Sequence, residues 1–255
     1  MPDAYERWLV PTVFRPFAID LARRAAALEL GRILELGAGT GVLTRELLVA
    51  MPSATVTATD LNDAMVDLGR GLAPSAHWRP ADAMDLPFGN GEFDLVVCQF
   101  GVMFFPDKRA AFAEARRVLA PGGVLLFNTW AALDTHDFQA ALVAGLEVAF
   151  PDDPPTFMVS LPHGYADVDV VLGDLRASGF DSVDVESVTI DGAAASAEDL
   201  ARGYSTGTPL RAGIESRGDL DATTAIVARA MEARLGSGPV SGRMIAHVFQ
   251  ARRAE

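Results

Sequence analysis

The chain has a single cysteine among 255 residues, which excludes an internal disulfide and any cysteine-cluster metal site. That residue, Cys98, sits in the apolar run Leu95-Val96-Val97-Cys98, the setting of a buried, inert thiol rather than a nucleophile. Long apolar runs are also missing. The longest, such as Phe93 to Phe100 and Val124 to Phe127, fall well short of the roughly 20 residues that span a bilayer. The opening residues, Met-Pro-Asp-Ala-Tyr-Glu-Arg, lack the basic and apolar regions of a secretory signal, so the expectation is a cytoplasmic protein with no membrane span. Basic charge is scarce: 21 Lys and Arg face 34 Asp and Glu, for a net charge of −13. Such a surface repels phosphate backbones, and the pairs Arg23-Arg24, Arg116-Arg117 and Arg252-Arg253 read as solvated faces. No nucleic-acid partner is expected. Histidine is sparse as well; His77, His136, His163 and His247 lie far apart, without the i, i+4 spacing of a metal site, and no metal is expected.

What the chain does have is apolar content, half of its residues, enough to bury one sizeable core. After Gly31, β-branched runs alternate with helical patterns, the signature of βαβ units and a parallel sheet. Strands are expected at 32–37, 54–60, 76–82, 93–100 and 123–130, and helices at 40–51, 62–73 and 106–120. Pro121-Gly122-Gly123 is expected to break the chain before the fifth strand. A helix over 167–179, a strand through Val183, Val185, Val188 and Ile190, and a last strand from Met244 to Ala251 complete the pattern. The fold class is therefore α/β: a seven-stranded, mostly parallel sheet flanked by helices, in one domain over 1–255. Three stretches escape the alternation, about 1–20, 131–165 and 193–242. They are candidate cover segments, at the N-terminus, after strand five and before the last strand. Tyr5, Trp8, Phe14 and Phe17 in the first of them need an apolar surface to cover.

Ile33-Leu34-Glu35-Leu36-Gly37-Ala38-Gly39-Thr40-Gly41 reads as an apolar strand, a glycine-rich turn and a helix start. Glycines in such a turn allow positive φ and a close backbone approach to a ligand. Asp60 closes the next strand, where an acidic side chain can accept hydrogen bonds from both ribose hydroxyls of a nucleotide. The dinucleotide fingerprint places its third glycine where this chain has Val42, which counts against NAD or FAD. Gly41 is followed by Val42-Leu43 and not by the Lys-Ser/Thr of a phosphate loop. A nucleotide without phosphates fits better. Glu35 agrees, because an acid just before the turn repels pyrophosphate but suits a methionyl amine and a sulfonium.

From Glu35 to Gly41 the sequence resembles the first motif of the class I S-adenosylmethionine-dependent methyltransferases, acidic-x-Gly-x-Gly-x-Gly. The resemblance extends over residues 31–130 and implies a Rossmann-like fold. It implies cofactor contacts from Glu35, Gly37, Ala38, Gly39 and Gly41. Asp60-Leu61 looks like the ribose-binding end of strand two, with Met65 against the adenine. Asp82-Ala83 looks like the segment that reaches the adenine amino group, and Gln99-Phe100 like the end of strand four beside the methionine moiety. The stretch Gln99 to Asp107 is closest to the branch of ubiquinone and menaquinone C-methyltransferases and their small-molecule relatives. The implied cofactor is S-adenosyl-L-methionine, leaving as S-adenosyl-L-homocysteine, and the implied reaction is in-line methyl transfer to a small-molecule acceptor.

Phe100, Phe104, Phe105, Trp130, Phe138, Phe150 and Phe157 follow strands four and five and suggest an apolar or aromatic acceptor, against the alternative that many are ordinary core. His136 and His163 are candidate bases within the second cover segment, against the alternative of surface or capping roles. The rival readings are a non-catalytic methyltransferase-like binding module and a nicotinamide-dependent oxidoreductase.

Overall fold

A computed structural model describes residues 2–255. The chain opens with α1 (Pro2–Ala4), a π-helical segment over Tyr5–Phe14 and α2 (Arg15–Ala26). Then follow β1 (Arg32–Leu36), α3 (Val42–Ala50), β2 (Thr55–Asp60), α4 (Asp63–Leu72), β3 (His77–Pro80), β4 (Phe93–Gln99), α5 (Lys108–Val118) and β5 (Leu119–Trp130). The second half holds α6 (Asp137–Ala149), α7 (Phe157–Ser160), α8 (Val168–Ala177), β6 (Ser182–Ala194), α9 (Ala197–Gly207), α10 (Leu210–Glu215), α11 (Leu220–Leu235) and β7 (Val240–Arg252). Two compact units divide it. Unit one gathers the chain up to Pro16 with Trp130–Gly164 and Thr189–Ala246; unit two gathers Phe17–Thr129, Tyr165–Val188 and His247–Glu255.

The sheet runs β3-β2-β1-β4-β5-β7-β6, and β3, β2, β1, β4 and β5 pair in parallel. Its central strands are apolar without alternation because both faces are covered: Ile33, Leu34, Leu95, Val96, Val97 and Cys98 have no exposed surface. The helices beside them start where the sequence supplies caps. Asn62 accepts from the Ala64 N–H to start α4, Asp107 from the Ala110 N–H to start α5, and Asp167 from the Asp169 N–H to start α8. Between β1 and β4 the strand order reverses, and the carboxyl ends of such strands are where open α/β sheets bind ligands.

β5 corrects one expectation. It begins at Leu119, ahead of Pro121-Gly122-Gly123, because Leu119 already pairs with Phe93 while Val124 pairs with Leu95. The residues between are accommodated by an irregularity, with Gly122 at φ +74°. β6 and β7 likewise extend beyond the spans expected from apolar alternation.

Unit one is helical where the sequence shows no strand alternation. α6 and α11 pack closely, and α11 also packs on α9. Gly145 permits the first of these approaches, since a Cβ there would stand 3.0 Å from the Val227 Cα. Phe138, Leu142, Leu146, Leu200 and Met231 are fully buried in this unit, so Phe138 is core.

Candidate cofactor site

All twelve residues expected to contact a cofactor belong to unit two, at or after the carboxyl ends of β1, β2, β3 and β4. The turn after β1 is built on three left-handed glycines, Gly37 at φ +62°, Gly39 at φ +56° and Gly41 at φ +83°. Each has its own surroundings. Gly37 lies close to Gly101 at the exit of β4, and Gly41 lies under the Trp78 ring, 2.8 Å from where a Cβ would stand. Around Gly39 there is open space, the place where a side chain would intrude on a ligand laid over the turn. Ala38 is tied down by its N–H to the Thr59 carbonyl at 2.8 Å.

Asp60 ends β2 beside this turn. One carboxylate oxygen accepts from the Gly39 N–H at 2.8 Å and the other from the Asn62 N–H at 2.9 Å. A carboxylate has about four lone-pair directions, so both oxygens keep acceptor capacity for a ligand's hydroxyls. Leu61, next in the chain, is 74% exposed, and Met65 is half-buried in the first turn of α4. After β3, Asp82 accepts from the Met84 N–H at 2.8 Å and bridges to Asp85, with Ala83 buried beside it.

Glu35 is enclosed. Its carboxylate accepts from the Thr44 hydroxyl at 2.6 Å, while its backbone carbonyl accepts from the Thr59 hydroxyl at 2.7 Å. Burial pushes the Glu35 carboxyl up to about 8, the Thr44 hydrogen bond opposes that rise, and the nearby Asp60 charge adds to it. A buried acid of this kind is an anion held in reserve, stabilised by any cation that arrives.

At the end of β4, Gln99 leads into Phe100, whose φ of +50° is unusual for a bulky residue. The Asn128 side chain holds it there by accepting the Phe100 N–H at 2.9 Å. Phe100 packs edge-on against Phe17 with ring centroids 5.4 Å apart. Cys98 is sealed, its thiol pushed up to about 12 by burial, which matches the reading of an inert residue.

Sequence reasoning passed over Thr44, Thr59, Trp78 and Asn128. Asn128 had a visible signal, a polar residue inside the apolar run Leu125-Leu126-Phe127. Thr44 had none, because only the fold sets it against Glu35. Of the aromatic residues read as an acceptor pocket, Phe100, Phe104 and Phe105 lie in unit two, and Trp130, Phe138, Phe150 and Phe157 in unit one. Phe104 is 44% exposed. His136 and His163 are both buried in unit one, so a surface role is corrected for each. Among the described residues, no group of three His, Cys, Asp or Glu could hold a metal ion.

Residues 34–127 match the methyltransferase domain family. Over 189 residues the chain is 30% identical to the ubiquinone/menaquinone biosynthesis C-methyltransferase UbiE of Dinoroseobacter shibae, covering 68% of this chain and 74% of that protein. The same enzyme of Stutzerimonas stutzeri is 28% identical over 193 residues, covering 69% of this chain and 74% of the relative. In fold, the YcgJ protein of Bacillus subtilis superposes with a TM-score of 0.60 at 20% identity, over 94% of this chain and 99% of that one.

Proposed function

From a chain that belongs to the class I S-adenosylmethionine-dependent methyltransferases, in the branch of the ubiquinone/menaquinone C-methyltransferases, we propose methyl transfer to a small-molecule acceptor by in-line displacement. The observation that carries this reading is the turn at Gly39, left-handed, open above its Cα and tethered to the Asp60 carboxylate at 2.8 Å. Such a cradle fits a nucleoside whose ribose lies on Asp60 and whose linker passes over glycine backbone.

When bound, S-adenosylmethionine supplies an electrophilic methyl group on a sulfonium. The remaining work belongs to the chain. Asp60 binds the ribose hydroxyls through its unused lone pairs, in charge-assisted hydrogen bonds. Asp82 and Ala83 take the adenine edge, with Leu61 and Met65 on its face. Glu35, Gly37, Ala38 and Gly41 shape the turn around the methionyl part, and the Glu35 carboxylate supplies the negative charge that a cationic ligand needs. Gln99 and Phe100 close the end of β4, where the strained Phe100 backbone is held by Asn128. Strain of this kind is retained where positioning matters.

A small acceptor is favoured over nucleic acid by the net charge of −13. An apolar one would meet Phe104, which is 44% exposed just beyond β4 in unit two. Calorimetric titration with S-adenosylmethionine, S-adenosylhomocysteine, NAD and NADP tests the cofactor assignment. Binding of the first two alone is expected, after which an acceptor screen is warranted. Binding of a nicotinamide cofactor alone, or of none of the four, would overturn the assignment.

A further inference from the structure

Residues 81–92, between β3 and β4, belong to no helix or strand, so their backbone groups need partners from elsewhere. This segment of unit two carries Asp82 and Ala83 at its start. Ala81 ties that end to β2, its N–H donating to the Asp60 carbonyl at 3.1 Å. A tight turn follows, in which the Met84 N–H donates to the Asp82 carboxylate at 2.8 Å and the Asp85 N–H to the Asp82 carbonyl at 3.1 Å. Leu86, the next residue, is 4% exposed.

From Leu86 onward the partners come from α5. Arg117 donates through Nη2 to the Leu86 carbonyl at 2.9 Å, and through Nη1 to the Phe88 carbonyl at 2.7 Å and the Asn90 side-chain oxygen at 3.0 Å. Its Nε and Nη2 also fork onto the Glu114 carboxylate at 2.6 and 2.7 Å. All five N–H groups of the guanidinium are thereby engaged. Glu114 in turn accepts the Leu86 N–H at 2.8 Å, and the Arg117 carbonyl accepts the Gly91 N–H at 3.0 Å. Arg117 was expected to face solvent; its side chain is 33% exposed and works as a clamp instead. The guanidinium holds the Glu114 carboxyl below its ordinary range, so the pair stays ionised at neutral pH. A planar fork fixes direction as well as charge, which a lysine cannot reproduce. Because the Leu86 N–H bonded to Glu114 and the Asp85 N–H bonded to Asp82 belong to successive residues, a shift of Leu86 carries the Asp82 turn with it.

We infer that Arg117, braced by Glu114, is a positioning residue that sets the Asp82 turn for the edge of an adenine base, acting through Leu86 and not by contact. That Asp82 meets adenine rests on the function proposed above; that the clamp fixes Asp82 does not.

Two measurements on the full chain test this, in wild type and in Arg117→Lys, which keeps the charge and loses the fork. The first is calorimetric titration with S-adenosylhomocysteine and S-inosylhomocysteine, which differ at the base edge, where an amino donor becomes a carbonyl acceptor. The wild type should prefer the adenine compound roughly tenfold or more, the effect of one hydrogen bond to a carboxylate, and the preference should fall below about threefold in the variant. The second is amide hydrogen exchange without ligand. Met84 and Asp85 should lose more protection in the variant than Val96 and Leu125 in the sheet, which separates local loosening from a general loss of stability. Should Arg117→Lys fail to fold, Glu114→Gln carries both comparisons, with smaller changes in the same direction. Equal binding of the two compounds by the wild type, or the full preference retained in a folded variant, overturns the inference and leaves the proposed function standing. If neither compound binds the wild type, the proposed function fails, and exchange alone decides the clamp: unchanged protection at Met84 and Asp85 overturns it.

Discussion

Replacing Glu35 by Gln removes a proton-binding group from the centre of the candidate site while keeping its shape. The side chain is 1% exposed, and a Gln amide oxygen can still accept the Thr44 hydroxyl, now 2.6 Å from the carboxylate. In the folded wild type the carboxyl titrates near 8 instead of its ordinary 4.5, chiefly because burial disfavours the charge. With the folded value above the unfolded one, the native state holds an extra proton between those two values. The stability contributed by this group is therefore whole below the unfolded value and is lost as pH rises through the folded one. At about 1.4 kcal/mol for each tenfold change in proton affinity, the loss amounts to roughly 5 kcal/mol once the carboxyl is ionised. Gln does not titrate. The ligand-free variant should thus match the wild type most closely near pH ~5 and exceed it by several kcal/mol near pH ~9, as measured by urea unfolding across that range. The difference between the two proteins cancels the other titrating groups, so pH-independent spacing of the two stability curves would refute the account of Glu35. The same substitution should weaken S-adenosylmethionine binding, since stability gained at a functional site is commonly offset by lost function.

Gly39→Ala should cost about 1–2 kcal/mol of stability, because an L-residue must adopt φ +56° there. Its larger effect should be a loss of S-adenosylhomocysteine affinity of about tenfold or more as the methyl enters the open cradle; calorimetry on folded variant decides, and unchanged affinity would remove Gly39 from the site. Asp60→Ala should weaken cofactor binding by roughly 1–3 kcal/mol through loss of charge-assisted hydrogen bonds, and equal affinities in the same titration would remove Asp60. Gly69→Ala sets two effects against each other. Helix propensity favours Ala by about 1 kcal/mol, but the added Cβ would stand 2.2 Å from the Trp78 ring, which is pinned by its N–H to the Ala73 carbonyl at 3.0 Å. Overpacking should win by about 1–3 kcal/mol, and adding Trp78→Ala to the same chain should make the Gly69 change harmless. A stabilised single variant in thermal melts would show that the ring moves aside freely.

Local chemistry made much of unit two readable. Uninterrupted β-branched runs mark strands buried on both faces, and Asn62, Asp107 and Asp167 cap helices within a residue or two of where periodicity starts them. The glycine turn, Asp60 and the break in apolar pattern at Pro121-Gly122-Gly123 were visible for the same reason, since φ preference and hydrogen-bond capacity belong to single residues. Where that break fell within the structure was not visible, because the pairing of Leu119 with Phe93 is a long-range register.

By itself, then, the sequence determined the order of strands and helices, the left-handed turn after β1 and the acid that ends β2. Each depends on interactions a few residues apart. Only the tertiary structure decided that Thr44 faces Glu35, that Asn128 holds the strained Phe100 N–H, that Trp78 fills the space beside Gly41 and Gly69, and that the buried His163 meets the Ala131 carbonyl through Nδ1. These depend on burial and on partners far away in the chain. Burial moves proton affinities and makes an unpartnered polar atom costly, and no local pattern of residues encodes it.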